Sequence, residues 1–156
     1  MGKTDEALEV AREVKAQNPT DEALLSTLAL TFKLTGNMEE MTEMYEKALE
    51  QDPQNESRAR DVYFCYARTR EYKKQQQLAQ KLYKTFNKPQ YVYWAVTAMV
   101  QQYQHSPSGM GSTMLQLGEK MLEKVLREVE PDRQPSAEEL QLYVHLLRLQ
   151  GKTQEA

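Results

Sequence analysis

The sequence predicts an all-α protein, an α-solenoid of helix-turn-helix repeats in a right-handed superhelical stack, and three observations carry that expectation. A hexapeptide recurs at the two extremities with one substitution, Gly2-Lys3-Thr4-Asp5-Glu6-Ala7 and Gly151-Lys152-Thr153-Gln154-Glu155-Ala156. Pro19 and Pro53, like Gly2 and Gly36, stand 34 residues apart, the length of a two-helix repeat unit. Apolar residues recur at helical spacing, strand patterns are absent, and the prolines fall between the helical segments rather than inside them.

In chain order, residues 4 to 17 read as the second helix of a repeat whose first helix is missing, a half repeat spanning 2–20. The repeat 22–55 is the clearest. Leu25, Leu28, Ala29 and Phe32 form the i, i+3, i+4, i+7 stripe of its first helix, and Thr35-Gly36-Asn37 supplies the left-handed turn that ends it. Met38, Met41, Met44, Tyr45, Ala48 and Leu49 form the inward face of its second helix, which Asp52-Pro53 closes because proline disfavours helical geometry in the preceding residue. The three methionines read as core filler rather than as an adaptable binding groove.

One period on, in the repeat 56–89, Val62, Tyr63, Tyr66 and Ala67 line a first helix. Arg70, Glu71-Tyr72-Lys73-Lys74, Ala79 and Leu82 mark the turn and second helix. The two hexapeptide copies lie 149 residues apart, thirteen more than four periods, and the surplus falls in an extended repeat, 90–135. There a helix over about 90–104 precedes the long connector His105–Ser112, and a helix over about 113–129 follows it. A half repeat, 136–156, begins at Ser136, an N-cap with Glu139 as its capping-box acid. Cutting a repeat at each end leaves apolar faces uncovered, Ala7, Val10, Ala11 and Val14 at one and Leu140, Tyr143, Val144 and Leu147 at the other. Natural arrays place polar caps there, so self-association through the truncated ends is expected.

Gly36, Tyr45, Glu46-Lys47-Ala48-Leu49 and Asp52-Pro53 resemble the consensus of the tetratricopeptide (TPR) family. A more specific resemblance lies in the ordered segments Tyr63-Phe64-Cys65-Tyr66-Ala67-Arg68, Glu71-Tyr72-Lys73-Lys74, Leu82-Tyr83-Lys84, Tyr91-Val92-Tyr93-Trp94-Ala95-Val96 and Glu119-Lys120-Met121-Leu122-Glu123-Lys124-Val125. In that order and spacing they are similar to the amino-terminal part of the auxiliary, non-catalytic subunits of the N-terminal acetyltransferase B complex. The resemblance implies a long TPR superhelix that wraps a catalytic acetyltransferase subunit and helps anchor it to the ribosome, for acetylation of chains beginning Met-Asp, Met-Glu, Met-Asn or Met-Gln. It assigns acetyl-CoA and the chemistry to the other subunit, so no catalytic residue and no cofactor is expected here.

Independent readings agree with a binding role. With 40% hydrophobic and 28% charged residues and no apolar run of membrane-spanning length, no membrane partner is expected. The single cysteine and the lack of an apolar leader point to the cytoplasm. Gly151-Lys152-Thr153 echoes a phosphate-binding loop, but Leu146 stands where that motif requires glycine, so an inter-helix turn is the better reading. His105 and His145 have no companions at metal-ligand spacing. Cys65, between Phe64 and Tyr66, reads as a small core residue rather than a nucleophile.

Charge is unevenly distributed. Residues 1–55 hold five cations against twelve anions, residues 56–90 nine against three, and residues 91–156 six against eight. Arg58, Arg60, Arg68, Arg70, Lys73, Lys74, Lys81, Lys84 and Lys88 form the basic cluster, a candidate surface for ribosomal RNA or another anionic partner, weighed against a merely solvated helix face. Trp94 reads as core, at the consensus large position that puts Ala98 at the small one, whereas Tyr91 and Tyr93 are candidate partner-binding aromatics. The alternative function is a generic TPR module of the co-chaperone type that grips an acidic carboxyl terminus. Its clamp needs a basic residue and an asparagine one turn apart, and the corresponding positions hold Ser26 and Leu30, then Arg60 and Phe64.

Overall fold

The computed structural model describes residues 2–105, 111–129 and 132–152, and among these the chain is helices joined by turns, with no strand. It divides into two compact units, Met1–Glu71 and Tyr72–Ala156. The first holds α1 (Gly2–Lys15), α2 (Glu22–Leu34), α3 (Met38–Gln51) and α4 (Glu56–Arg68), each packed on the next. The second holds α5 (Tyr72–Phe86), α6 (Gln90–His105), α7 (Gly111–Lys124) and α8 (Ala137–Leu149). A π-helical turn, Val125–Val129, continues α7.

The 34-residue rhythm is visible in the helix ends. Asp21 and Asn55, one period apart, cap α2 and α4 by accepting hydrogen bonds from the Leu24 and Arg58 amides at 2.9 and 3.0 Å. Both helices end in the same Schellman turn. The Asn37 amide reaches the Phe32 carbonyl at 2.8 Å and the Glu71 amide reaches that of Tyr66 at 2.9 Å. The left-handed residue is Gly36 (φ 76°) in one turn and Arg70 (φ 60°) in the other, where a side chain makes that geometry less favourable.

Three helices dominate the core of the first unit. Leu25, Leu28 and Phe32 of α2 meet Met41, Met44, Tyr45 and Ala48 of α3, which in turn meet Ala59, Val62, Tyr63, Cys65 and Tyr66 of α4. The small Ala48 and Ala59 allow close helix approach. Met41 and Met44 lie in the core as the sequence suggests. α1 contributes only Ala11 to the buried set and is held to α3 by ions: Arg12 Nη2 lies 2.6 Å from Glu40 Oε1 and Lys15 Nζ lies 2.7 Å from Glu43 Oε2. The hydrogen bond from Arg12 holds the Glu40 carboxyl below its usual range.

In the second unit α6 packs against α5, α7 and α8. Its run of apolar residues leaves no polar face of ordinary width, and eight of its side chains are buried. α7 fits closely because Gly118 has no side chain: a Cβ there would stand 3.1 Å from Leu146 Cδ1 and 3.3 Å from Val96 Cγ1. Ser136 and Glu139 form the expected capping box at the start of α8. α7 begins at Gly111, inside the stretch read from sequence as connector, and residues 106–110 of that connector lie outside the described residues. Of the apolar end faces expected to be open, Val10 and Leu140 are exposed. Ala11 and Leu147 are buried because each lies on the stripe its helix turns to a neighbour.

Arg58 departs most from the sequence reading. It is 6% exposed, so it belongs to the interior and not to a basic surface. Its Nη1 donates to the Ala48 carbonyl at 3.0 Å, one of the four carbonyls the end of α3 cannot satisfy itself. Its Nη2 donates to the Thr20 carbonyl at 2.8 Å and lies 3.8 Å from Glu22 Oε2. One guanidinium thus ties the end of α3 and the approach to α2 onto α4. Replacing it with alanine strands two carbonyls, so Arg58→Ala is expected to lower the unfolding free energy by about 3 kcal/mol in urea titration. A loss under about 1 kcal/mol would show that the guanidinium is dispensable.

Candidate interaction surfaces

Elementary helix geometry assembles the first surface on α5. This helix, Tyr72–Phe86, contains no acidic residue. Gln75, Ala79 and Leu82 form its buried stripe, and at about 100° per residue Lys73, Lys74, Lys81 and Lys84 share the opposite, exposed side. Lys88 is exposed just beyond the helix end, with its Nζ 6.0 Å from the Phe86 ring centre. Arg60, Arg68 and Arg70 are exposed on the first unit. Eight of the nine residues of the predicted basic cluster are therefore on the surface, and Arg58 is not.

The predicted aromatic contacts are corrected as well. Tyr91 is fully buried and Tyr93 is 8% exposed, so neither presents a ring to a partner. α6 has neighbours on several sides, which turns inward residues that a helix covered on one side would leave out. Tyr91 instead stacks edge-to-face on Trp94 at 5.2 Å and approaches Phe86 at 6.4 Å. Trp94, read from sequence as core, is half-buried, while Ala98 is fully buried as expected.

A second surface was not read from the sequence. In the first unit a groove of about 270 Å³ separates α2 from α4. Met41 and Tyr45 of α3 line it together with Ala29, Leu30 and Lys33 of α2 and Asp61, Phe64, Cys65 and Arg68 of α4. Leu30 and Phe64 are 57% and 45% exposed. They stand one 34-residue period apart, and large apolar residues at the same register of successive repeats were the available signal. Burial and then the charge of Glu22 push the Asp61 carboxyl above its ordinary range. Burial, reinforced by Asp61, pushes the Tyr45 hydroxyl up to about 12.

Among the described residues no three His, Cys, Asp or Glu side chains gather as metal ligands, and no helix is long and apolar enough to cross a membrane. Cys65 is 1% exposed, and burial pushes its thiol up to about 11 against the weaker opposing effects of Arg68 and a hydrogen bond with Thr42. The carboxylate of Glu46 accepts a hydrogen bond from Tyr66 Oη at 2.6 Å, part of the same packed layer.

Helical hairpins repeated at 34-residue intervals, with charged and apolar surfaces between and along them, define a TPR protein. Residues 1–156 match the family described as "Psidin, N-terminal TPR repeats region", and the chain belongs to that family. It is 36% identical over 99% of its length to human "N-alpha-acetyltransferase 25, NatB auxiliary subunit", covering 16% of that protein. It is 31% identical over its whole length to "Phagocyte signaling-impaired protein" of Drosophila pseudoobscura pseudoobscura, again 16% of that protein. With "N-terminal acetyltransferase B complex auxiliary subunit NAA25" of Arabidopsis thaliana it shares 32% identity over its whole length, covering 15% of the relative. The chain thus spans about a sixth of the length of these relatives.

The buried thiol gives a direct check on the packing of α3 against α4. At pH 8, about three units below its titration, the Cys65 thiolate fraction is roughly one in a thousand. A colourimetric thiol reagent should therefore modify the native protein only at the rate of unfolding. Because the folded-state value is raised, the associated stability is present at neutral pH and is lost as pH rises through about 11. Labelling at pH 8 as fast as that of a small free thiol would contradict this packing.

Proposed function

We propose that this chain is part of a non-catalytic auxiliary subunit that binds the catalytic subunit of an N-terminal acetyltransferase. It would help anchor that enzyme to the ribosome for co-translational acetylation of Met-Asp, Met-Glu, Met-Asn and Met-Gln chains. The observation that carries the reading is the likeness, along 99% of this chain, to a protein named as a NatB auxiliary subunit. A helical array supports such a role physically, because each added hairpin extends a continuous surface without requiring a central cavity. The localisation that follows is cytoplasmic, where ribosomes translate.

The basic side of α5 is the proposed contact with ribosomal RNA. Four lysines on one 15-residue helix free of acidic side chains create a field that no single surface ion pair could, and phosphate contacts of this kind weaken steeply with salt. The co-chaperone alternative finds no support in the first unit: Leu30 and Phe64 occupy the two clamp positions that would require asparagine, and both expose hydrocarbon.

Affinity purification of the full-length protein, followed by sedimentation through a sucrose cushion, tests both parts together. The unmodified protein is expected to retain an N-acetyltransferase catalytic chain and to pellet with ribosomes at low salt. The quadruple variant Lys73→Glu, Lys74→Glu, Lys81→Glu and Lys84→Glu should keep the catalytic chain and lose most of the pelleting. Absence of any acetyltransferase chain would overturn the scaffold reading. Undiminished pelleting of the variant would remove α5 from the ribosomal contact.

A further inference from the structure

α1 is the least embedded helix of the first unit. Ala11 is its one buried side chain, and Val10 beside it in sequence is 58% exposed. What fastens it is charge. Arg12 donates from Nε and Nη2 to both carboxylate oxygens of Glu40 at 2.6 to 3.1 Å. Lys15 Nζ lies 2.7 Å from Glu43 Oε2 and 3.8 Å from Glu40 Oε2. The same ammonium stands 5.9 Å from the centre of the Phe32 ring, as part of the cover over that fully buried side chain. Arg12 and Glu43 are both more than half exposed, so water and salt reach these pairs and weaken them.

The connection to α2 is a pivot. Asn18 adopts a left-handed conformation (φ 50°), and Pro19 cannot extend the helix. Immediately beyond, Arg58 Nη2 holds the Thr20 carbonyl at 2.8 Å. The chain is therefore clamped to α4 at Thr20, whereas what precedes it is attached chiefly through Ala11 and two cations. The core that α2, α3 and α4 form among themselves takes only Ala11 from α1.

We propose that α1 is a releasable strap, latched to α3 by Arg12 and Lys15 and lifted, with α2, α3 and α4 still folded, when a cationic segment of another protein takes Glu40 and Glu43. Release uncovers the two carboxylates together with the edge of Phe32. The chemistry of the competitor is that of α1 itself, two basic residues three positions apart on one side of a helix. The proposal rests on the first unit alone and is independent of the acetyltransferase reading.

Hydrogen exchange of individual amides in the 156-residue chain reads α1 apart from the other helices. Raising NaCl from about 20 mM to about 0.5 M should speed exchange at residues 9–15 about fivefold and leave the centre of α3 unchanged. The peptide tetra-arginine at about 1 mM should match that acceleration, whereas NaCl of equal ionic strength should not. Arg12→Glu and Glu40→Arg should each release α1 at low salt. The double variant restores the pair with its charges exchanged and should exchange more slowly than either single one, an outcome that misfolding cannot produce. The proposal is overturned by α1 exchange indifferent to salt, by equal acceleration in α1 and α3, by tetra-arginine acting no better than salt, or by a double variant as open as the single ones.

Discussion

No α-helix among the described residues exceeds 16 residues, and isolated helices of about that length are marginal in water. Each therefore persists only by pressing its apolar stripe against helices close to it in sequence, and this mutual shelter is the constraint on which the rest depends. α3 shows the requirement most plainly. Met41, Met44, Tyr45 and Ala48 are nearly inaccessible because α2 and α4 cover them from two sides. α6 carries the same logic further, with buried residues over more than half of its circumference. Close contact needs small residues at the crossings, which is why Ala48, Ala59, Ala98 and Gly118 sit where they do.

Mutual burial between neighbours also decides what remains for function. A helix that turns one stripe to the core has its opposite side free to carry charge, and α5 fills that side with lysines while burying Gln75, Ala79 and Leu82. In the first unit, α2 and α4 both rest on α3 yet stand apart from each other, so the interval between them becomes a groove with apolar walls. Polar groups that cannot reach water are dealt with locally. Arg58 satisfies two carbonyls at 3.0 and 2.8 Å, although its Nε is buried without an acceptor. Gln75 likewise keeps an unpaired Oε1 inside the second unit.

Much of this was legible before any coordinates. Periodicity locates the helices to within a few residues, because glycine, proline and capping residues act locally and Gly36 and Ser136 do what their types suggest. Asp21 and Asn55 stand one period apart before a helical stripe, so their capping too is encoded locally. Arg58 was not readable. Charged residues are rarely buried, and the carbonyls that justify this exception arrive from positions 10 and 38 residues away. Tyr91 and Tyr93 misled for a related reason: their burial depends on how many neighbours α6 has, which helical spacing alone does not encode. The groove depends on the separation of two helices, a quantity absent from any one-dimensional pattern.

Native-state hydrogen exchange of the 156-residue chain tests the mutual-shelter account most directly, since it reads the stability of each helix separately. If shelter by neighbours sets stability, amides at the centres of α3 and α6 should be the most protected, and those of α1, which buries only Ala11, should exchange fastest. Protection of α1 equal to that of α3 and α6 would contradict it, because a helix with almost no buried stripe would then be as stable as the ones its neighbours enclose.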